Sequence, residues 1–370
     1  MRRLILASAF LGAVLNLNAQ NYEFQTIKDN DALAVLSQGQ TGTCWSFSTG
    51  SFLESEIIRK TGKLIDLSEM YNVRHVYPKK AANYVMRQGK AQFGEGGLAH
   101  DVINSMRDAG LVPYEVYSGL EGSETYNHEE LFDALKSVLD AFANSKGPIS
   151  PKWQGIVNYI LDSYLGANIT EFTYQGKKYT PQSFLKMTGL QPDDYVTITS
   201  FKDKENYRPF ILNVPDNFSN GMMYNLPLDE YIQNIDHALE NGFTLSLDCD
   251  VSEKGFSAKH GIAVVPENKE DLPLGLTEII KERTITEEYR LQEFYNFNTQ
   301  DDHLMHIVGK VKDQKGTTYY KVKNSWGTDE NKVGHGGYIY MSVPYMQLKS
   351  ISVLLHKDGL QKNTLKKISL

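Results

Sequence analysis

The chain has 370 residues, 41% hydrophobic and 22% charged, which is the balance of a folded globular protein and excludes a disordered one. Its net charge of −7 makes nucleic acid an unsuitable partner. Such a length predicts about two domains, or one large domain carrying an insertion.

The first twenty residues, MRRLILASAFLGAVLNLNAQ, set Arg2 and Arg3 ahead of an apolar run from Leu4 to Leu17. That run is about 14 residues, too short for a bilayer span of about 20, so residues 1–19 read as a secretory signal peptide cleaved after Ala19. The remainder, 20–370, is then an exported domain, periplasmic or secreted, with no membrane partner and a charge of −9 once both arginines are gone.

QGQTGTCWSFSTGSF, Gln38 to Phe52, holds one of only two cysteines. From Trp45 onward Phe47, Phe52, Leu53, Ile57 and Ile58 recur at helical spacing, with Gly62 placed to stop the helix. Cys44 is thereby placed at a helix N-terminus, where unpaired N–H groups and the helix dipole favour a thiolate and predict an acidic, unbridged thiol. Next, GEGGLAHDVINSMRDAG reads as a glycine-rich loop and a short helix ending at Gly110.

The stretch 120–245 reads as an insertion with its own helices. Thr180, Pro181 and Gly189 supply cap, first turn and stop for one of them. In LDEYIQNIDHALENG, Leu228, Tyr231, Ile232, Ile235, Ala238 and Leu239 share one face of another, and His237 lies on its polar face. Beyond Phe243 the pattern turns to strands. FTLSLDCDV makes Cys249 a core residue, and TTYYKVKN puts Tyr320 and Val322 on one face with Asn324.

Gln38, Cys44, a histidine and Asn324 are the residue types that thiol acyl transfer requires: nucleophile, acid/base, imidazole-orienting amide and oxyanion donor. DDHLMHIVG offers two histidines, His303 and His306. A hairpin turning at DQKG with Lys312 opposite Thr317 sets Asn324 on the face of odd-numbered His303 and turns His306 away, unless a bulge intervenes. No histidine and carboxylate group has metal-ligand spacing, so neither metal nor organic cofactor is expected.

With these motifs in order, the chain resembles the papain superfamily of cysteine peptidases. The resemblance rests on QGQTGTCWSFS, GEGG, DHLMHIVG with Gly309 six residues beyond His303, KNSWG and GHGGYIYM. It implies an α+β fold in which an N-terminal helical subdomain bearing the cysteine helix packs on a C-terminal antiparallel β subdomain. It also implies Cys44, His303, Asn324 and Gln38 as catalytic residues, with Gly96, Gly97 and Trp326 lining the peptide site.

His303 follows Cys44 by 259 residues, against about 130–150 in papain itself. The excess lies in the central segment, where YLGANITEFTYQGKKYTPQSFLKMTGLQPDDYVTITSF, DNFSNGMMYNLPL and LDCDV are similar to the bleomycin hydrolase and aminopeptidase C branch. Thr41 and Gly94 stand where secreted papain-like relatives carry a disulfide pair, and both halves are missing together, as they are in that branch. The branch implies aminopeptidase action on peptide substrates and a homohexamer. It further implies a C-terminal arm whose carboxylate pairs with the substrate amine. This chain ends instead in HKDGLQKNTLKKISL, which lacks the branch's proline-rich motif. An open-cleft endopeptidase is the alternative, and a catalytically silent binding protein on the same fold a more distant one.

Overall fold

The computed structural model describes residues 21–370, so the signal-peptide expectation at 1–19 lies outside the described residues. In chain order the strands are β1 (Gln25–Asp29), β2 (Phe172–Tyr174), β3 (Lys177–Tyr179), β4 (Tyr195–Thr199), β5 (Pro209–Ile211), β6 (Met222–Asn225) and β7 (Leu245–Cys249). They continue with β8 (Phe256–Ser257), β9 (Ile262–Ala263), β10 (His303–Lys312), β11 (Thr318–Lys323), β12 (Tyr338–Ser342) and β13 (Ser350–His356). The helices are α1 (Cys44–Thr61), α2 (Glu69–Met86), α3 (Ala99–Ala109), α4 (Glu129–Ala143), α5 (Lys152–Leu165) and α6 (Pro181–Thr188). After them come α7 (Leu228–Glu240), α8 (Leu272–Gly275), α9 (Glu287–Tyr295), α10 (Val343–Lys349) and α11 (Lys362–Ile368).

Local chemistry sets the expected boundaries. Gly62 closes α1 at φ 70°, its N–H bonded to the Ile58 carbonyl at 2.7 Å. Thr180 Oγ1 accepts from the Ser183 N–H at 3.2 Å to open α6, with Pro181 in the first turn and Gly189 in the left-handed region at its end. The predicted apolar face of α7 is buried throughout.

Eleven strands form one sheet in the order β5-β6-β4-β13-β7-β10-β11-β12-β9-β8, with β1 added beside β10. It is mixed rather than purely antiparallel, because β12 runs parallel to β9 and β4 to β6. The N-terminal β1 joins this C-terminal sheet only because residue 309 is glycine, since a Cβ there would lie 2.2 Å from the Lys28 carbonyl oxygen.

Two cores lie on opposite faces of the sheet. Helix α1 covers Leu304, Ser246 and His306, with Ser48 Oγ donating to the Met305 carbonyl at 2.6 Å. On the other face α7 and α11 cover Leu247, Met305, Ile307, Tyr320 and Val322. The stretch 120–245 contributes to both layers: α4 and α5 pack on α2 in the helical core, and β4 enters the sheet beside β13. Among the described residues no helix is long and apolar enough to cross a membrane.

The C-terminal segment docks away from α1. Thr364 and Ile368 are buried on the α7 side, the Gln361 N–H donates to Asn234 Oδ1 at 2.9 Å, and Lys367 pairs with Glu230 at 2.6 Å. Segment 362–368 therefore lies on the sheet face opposite α1.

Candidate active site

Helix α1 begins at Cys44 without a side-chain cap on Thr43, so its first N–H groups stay available at the end where Cys44 sits. The loop before it is fastened from two sides. Glu95 Oε2 accepts the Gly42 N–H at 2.8 Å, and the Trp45 indole donates to the Glu95 carbonyl at 2.9 Å. Gln38 is buried, giving one amide hydrogen to the Thr41 carbonyl at 2.6 Å and accepting from Ser325 Oγ at 2.6 Å. An amide has two N–H donors, so one remains for a ligand.

Across from this loop, His303 Nε2 lies 2.8 Å from Asn324 Oδ1, and both residues are buried. The same Oδ1 accepts the Ser325 N–H at 2.8 Å, which fixes the amide orientation. Nε2 must then carry the proton, leaving Nδ1 of His303 as the free ring nitrogen. Trp326 lies over the imidazole at 4.7 Å between ring centres, tilted by 34°. The Leu304 N–H, next in the chain after His303, is turned toward the Cys44 sulfur and favours its thiolate.

The pairing that selects His303 differs in detail from the expected one. At the turn Lys312 stands opposite Thr318 and not Thr317, and a bulge between Ile307 and Gly309 then shifts the register by one. The two offsets cancel, so His306 faces Lys323 and Asn324 remains on the odd-numbered face. His306 points beneath α1, where its Nδ1 meets Ser51 Oγ at 2.9 Å.

Gly97 packs on the Trp45 indole, which a Cβ would approach to 3.2 Å. Gly96 is overlaid by the Asp216 carboxylate, 2.0 Å from where a Cβ would stand, and its carbonyl accepts from the Lys80 ammonium. A Cβ at Gly96 would displace the Asp216 carboxylate and one at Gly97 would press on the indole, and Asp216 roofs this part of the cleft.

Both cysteines are free. Burial pushes the Cys44 thiol up to about 12; the Leu304 N–H opposes this, while Asp216, Asp301 and Asp248 add to it. Burial also lowers His303, against the raising effect of Asn324. Burial thus opposes the acidic thiol that the helix end and a histidine partner together favour. Each group resists charging singly, so a thiolate here requires a charged His303 to accompany it.

Three carboxylates near the cleft were not singled out by the sequence reading: Asp216, Asp248 and Asp301. A signal existed for Asp248, since a carboxylate stands at a buried position of the apolar strand 245–249. Separately, Glu54, Asp66 and Glu69 bring carboxylate oxygens within 4.8 Å of one another beneath α1, next to Lys323.

Comparison with known proteins agrees with this architecture. The profile of the Peptidase C1-like family matches residues 170–369, and that of the papain family of cysteine proteases matches residues 20–127. Aminopeptidase G of Lactobacillus delbrueckii subsp. lactis is 26% identical over 376 residues, covering 89% of this chain and 82% of its own. Mouse procathepsin L is 32% identical over 116 residues, which is 30% of this chain and 29% of the procathepsin. The crystal structure of PepW from Lactobacillus rhamnosis HN001 superposes with a TM-score of 0.74 at 21% identity, over 93% of this chain and 84% of PepW, which shows the shared fold. With one profile spanning more than half of the sequence and a relative aligned along most of it, the chain belongs to the Peptidase C1-like family of cysteine peptidases, in the bleomycin hydrolase and aminopeptidase C branch of the papain superfamily.

Proposed function

We propose that the protein is an exported aminopeptidase that removes N-terminal residues from peptides through a Cys44–His303–Asn324 thiol acyl-enzyme mechanism. The observation that carries the reading is the 2.8 Å bond from His303 Nε2 to Asn324 Oδ1, which leaves Nδ1 free for the Cys44 proton beside the Leu304 N–H.

Proton transfer from Cys44 to His303 Nδ1 gives a thiolate and an imidazolium, each relieving the cost of burying the other. The thiolate attacks the scissile carbonyl carbon. The resulting oxyanion is held by the Cys44 backbone N–H and the uncommitted amide hydrogen of Gln38. As the C–N bond breaks, His303 gives its proton to the departing amine and a thioester to Cys44 remains. Water then attacks the thioester while His303 takes its proton, releasing the carboxylic acid and restoring the thiol. Asn324 orients the ring throughout, and Trp326 shields their bond from solvent.

The exopeptidase part of the reading is supported by likeness to Aminopeptidase G along most of both chains. Export is supported by the basic and then apolar character of residues 1–19. One experiment tests the activity: the products of a mixed peptide library are identified by mass, and single residues released from free N-termini are expected. Internal cleavage of N-acetylated peptides at equal rates would replace this reading with an open-cleft endopeptidase. Export is checked by the N-terminal sequence of the mature protein, expected to begin at Gln20.

A further inference from the structure

Asp248 stands on β7 directly opposite Leu304, the residue whose N–H meets the Cys44 sulfur. Asp301 precedes His303 by two residues, and its carboxyl group faces that of Asp248. Asp248 is only 2% exposed, and all four oxygens of the two groups are buried with no hydrogen-bond partner among the described residues other than each other. Neighbouring carboxylates are committed elsewhere. Asp302 accepts from the Val251 and Ser252 N–H groups, Asp250 accepts from the Gln300 N–H and pairs with Lys349, and Asp216 faces Lys80. The Lys80 ammonium is itself bonded to the Gly96 carbonyl.

Two dry carboxyl groups facing each other repel when both are ionised, so in the absence of a cation they share a proton. An ammonium group, with three donors on one atom, suits such a pair better, giving each carboxylate a charge-assisted bond. The α-nitrogen of an amino acid lies about 2.5 Å from its own carbonyl carbon, so a peptide whose first carbonyl meets Cys44 carries its amine only a short distance from the sulfur. Asp248 is one cross-strand step from Leu304, a spacing of about 5 Å, which brings its carboxylate into that region.

We propose that Asp248 and Asp301 bind the α-ammonium group of the substrate's N-terminal residue. This deepens the aminopeptidase reading and rests on it. The pair attracts a free amine and disfavours an acylated nitrogen, which is uncharged and would press its acyl group against two buried carboxylates. The arm carboxylate implied by the family resemblance is not available for this task, because segment 362–368 lies on the other face of the sheet.

The test is steady-state kinetics of the full chain and of the Asp248→Asn and Asp301→Asn variants on leucyl and alanyl coumarinamides and their N-acetyl forms. The ratio of kcat/KM for free-amine over acetylated substrate is expected to fall about 10- to 100-fold in each variant, mainly through KM. An unchanged ratio, or an equal loss on both substrate forms, overturns the assignment. Should Asp248→Asn fail to fold by its melting curve, Asp301→Asn at the less enclosed position decides the matter. N-acetyl-lysyl-leucyl coumarinamide probes the other source of an ammonium. Cleavage favoured over the norleucyl analogue, and lost in Asp248→Asn, would assign the pair to a side chain and overturn the proposal. If the full chain itself prefers no free amine, it is the aminopeptidase reading that falls. A preference kept intact by both variants removes only the role of the two carboxylates.

Discussion

Two groups of carboxylates meet at α1, and their buried members are treated in different ways. At the middle of the helix, buried Glu54 and Glu69 and exposed Asp66 come together within the field of the Lys323 ammonium, which donates to Ser51 Oγ at 2.7 Å. Near the start of the helix, Asp248 and Asp301 face each other with no hydrogen-bond donor from another described residue, the nearby Lys80 ammonium being bonded to the Gly96 carbonyl. The first group has its cation supplied by the fold, on the strand that leads into Asn324. The second is left open beside the nucleophile. The contrast teaches that buried charge is structural where the chain neutralises it and becomes a candidate for recognition where it does not.

The largest expected effect separates the two sides through their histidines. His303→Ala, like Cys44→Ala, is expected to abolish hydrolysis. His306→Ala, which touches only the Ser51 and Lys323 side, is expected to keep substantial turnover with a lower melting temperature. A folded, inactive His306→Ala beside an active His303→Ala would reverse the assignment. Next in size, Gln38→Ala is expected to slow kcat about 100-fold or more while rapid iodoacetamide labelling of Cys44 persists, since one oxyanion donor is lost and the thiol is untouched. Equal turnover by variant and parent would remove Gln38 from the site.

Stability sharpens the same contrast. Lys323→Met removes the cation nearest buried Glu54 and Glu69 together with the donor to Ser51 Oγ and is expected to cost about 1–3 kcal/mol in denaturant unfolding. Asp248→Asn relieves a like-charge contact and is expected to leave stability unchanged or raise it by up to about 1 kcal/mol. A loss from Asp248→Asn as large as that from Lys323→Met would make both groups structural.

The smallest effect is in pH. Burial, followed by the Asp216 charge, raises the Asp301 carboxyl to about 7. The groups facing the pair are Asp216 and Asp302, the Lys80 ammonium, and Cys44 on α1. Below about pH 7 Asp301 retains a proton that competes with an ammonium, and above it that proton is lost, while burial and the Asp301 charge hold Asp248 well above the usual carboxylate range. KM for free-amine substrates is therefore expected to fall as pH rises from about 6 to 7.5, before the substrate amine itself deprotonates near 8. KM for acetylated substrates should lack this change, and parallel profiles for both would break the link between the pair and the amine.

The helix that begins at Cys44 and the strand that carries Asn324 were legible because they depend on local or periodic chemistry, whereas the α+β arrangement and the grouping of Gln38, Cys44, His303 and Asn324 were implied by the resemblance to the papain superfamily. Periodicity marked Tyr320 and Val322 as one face, and that face carried Asn324 with it. The His303 reading had a less direct basis, since the assumed turn pairing was off by one residue and the Val308 bulge compensated. A bulge is an unpaired residue in a ladder, and nothing in alternation alone reveals where one falls. Stretch 120–245 shows the same limit from another side. Its helices and strand signals could be read singly, but their division between α2 and the sheet could not.

By itself the sequence determined the boundaries of several elements, the place of Cys44 at a helix end, and the presence of the residue types of a thiol peptidase, because each is set by neighbours within a few positions. Only the tertiary structure decided that 362–368 docks on α7, that Asp216 roofs Gly96, and that Asp248 and Asp301 meet beside Cys44. These are contacts between segments tens to hundreds of residues apart. Burial, which depends on all of those segments at once, then determines whether a carboxylate is solvated, paired or left to wait for a cation.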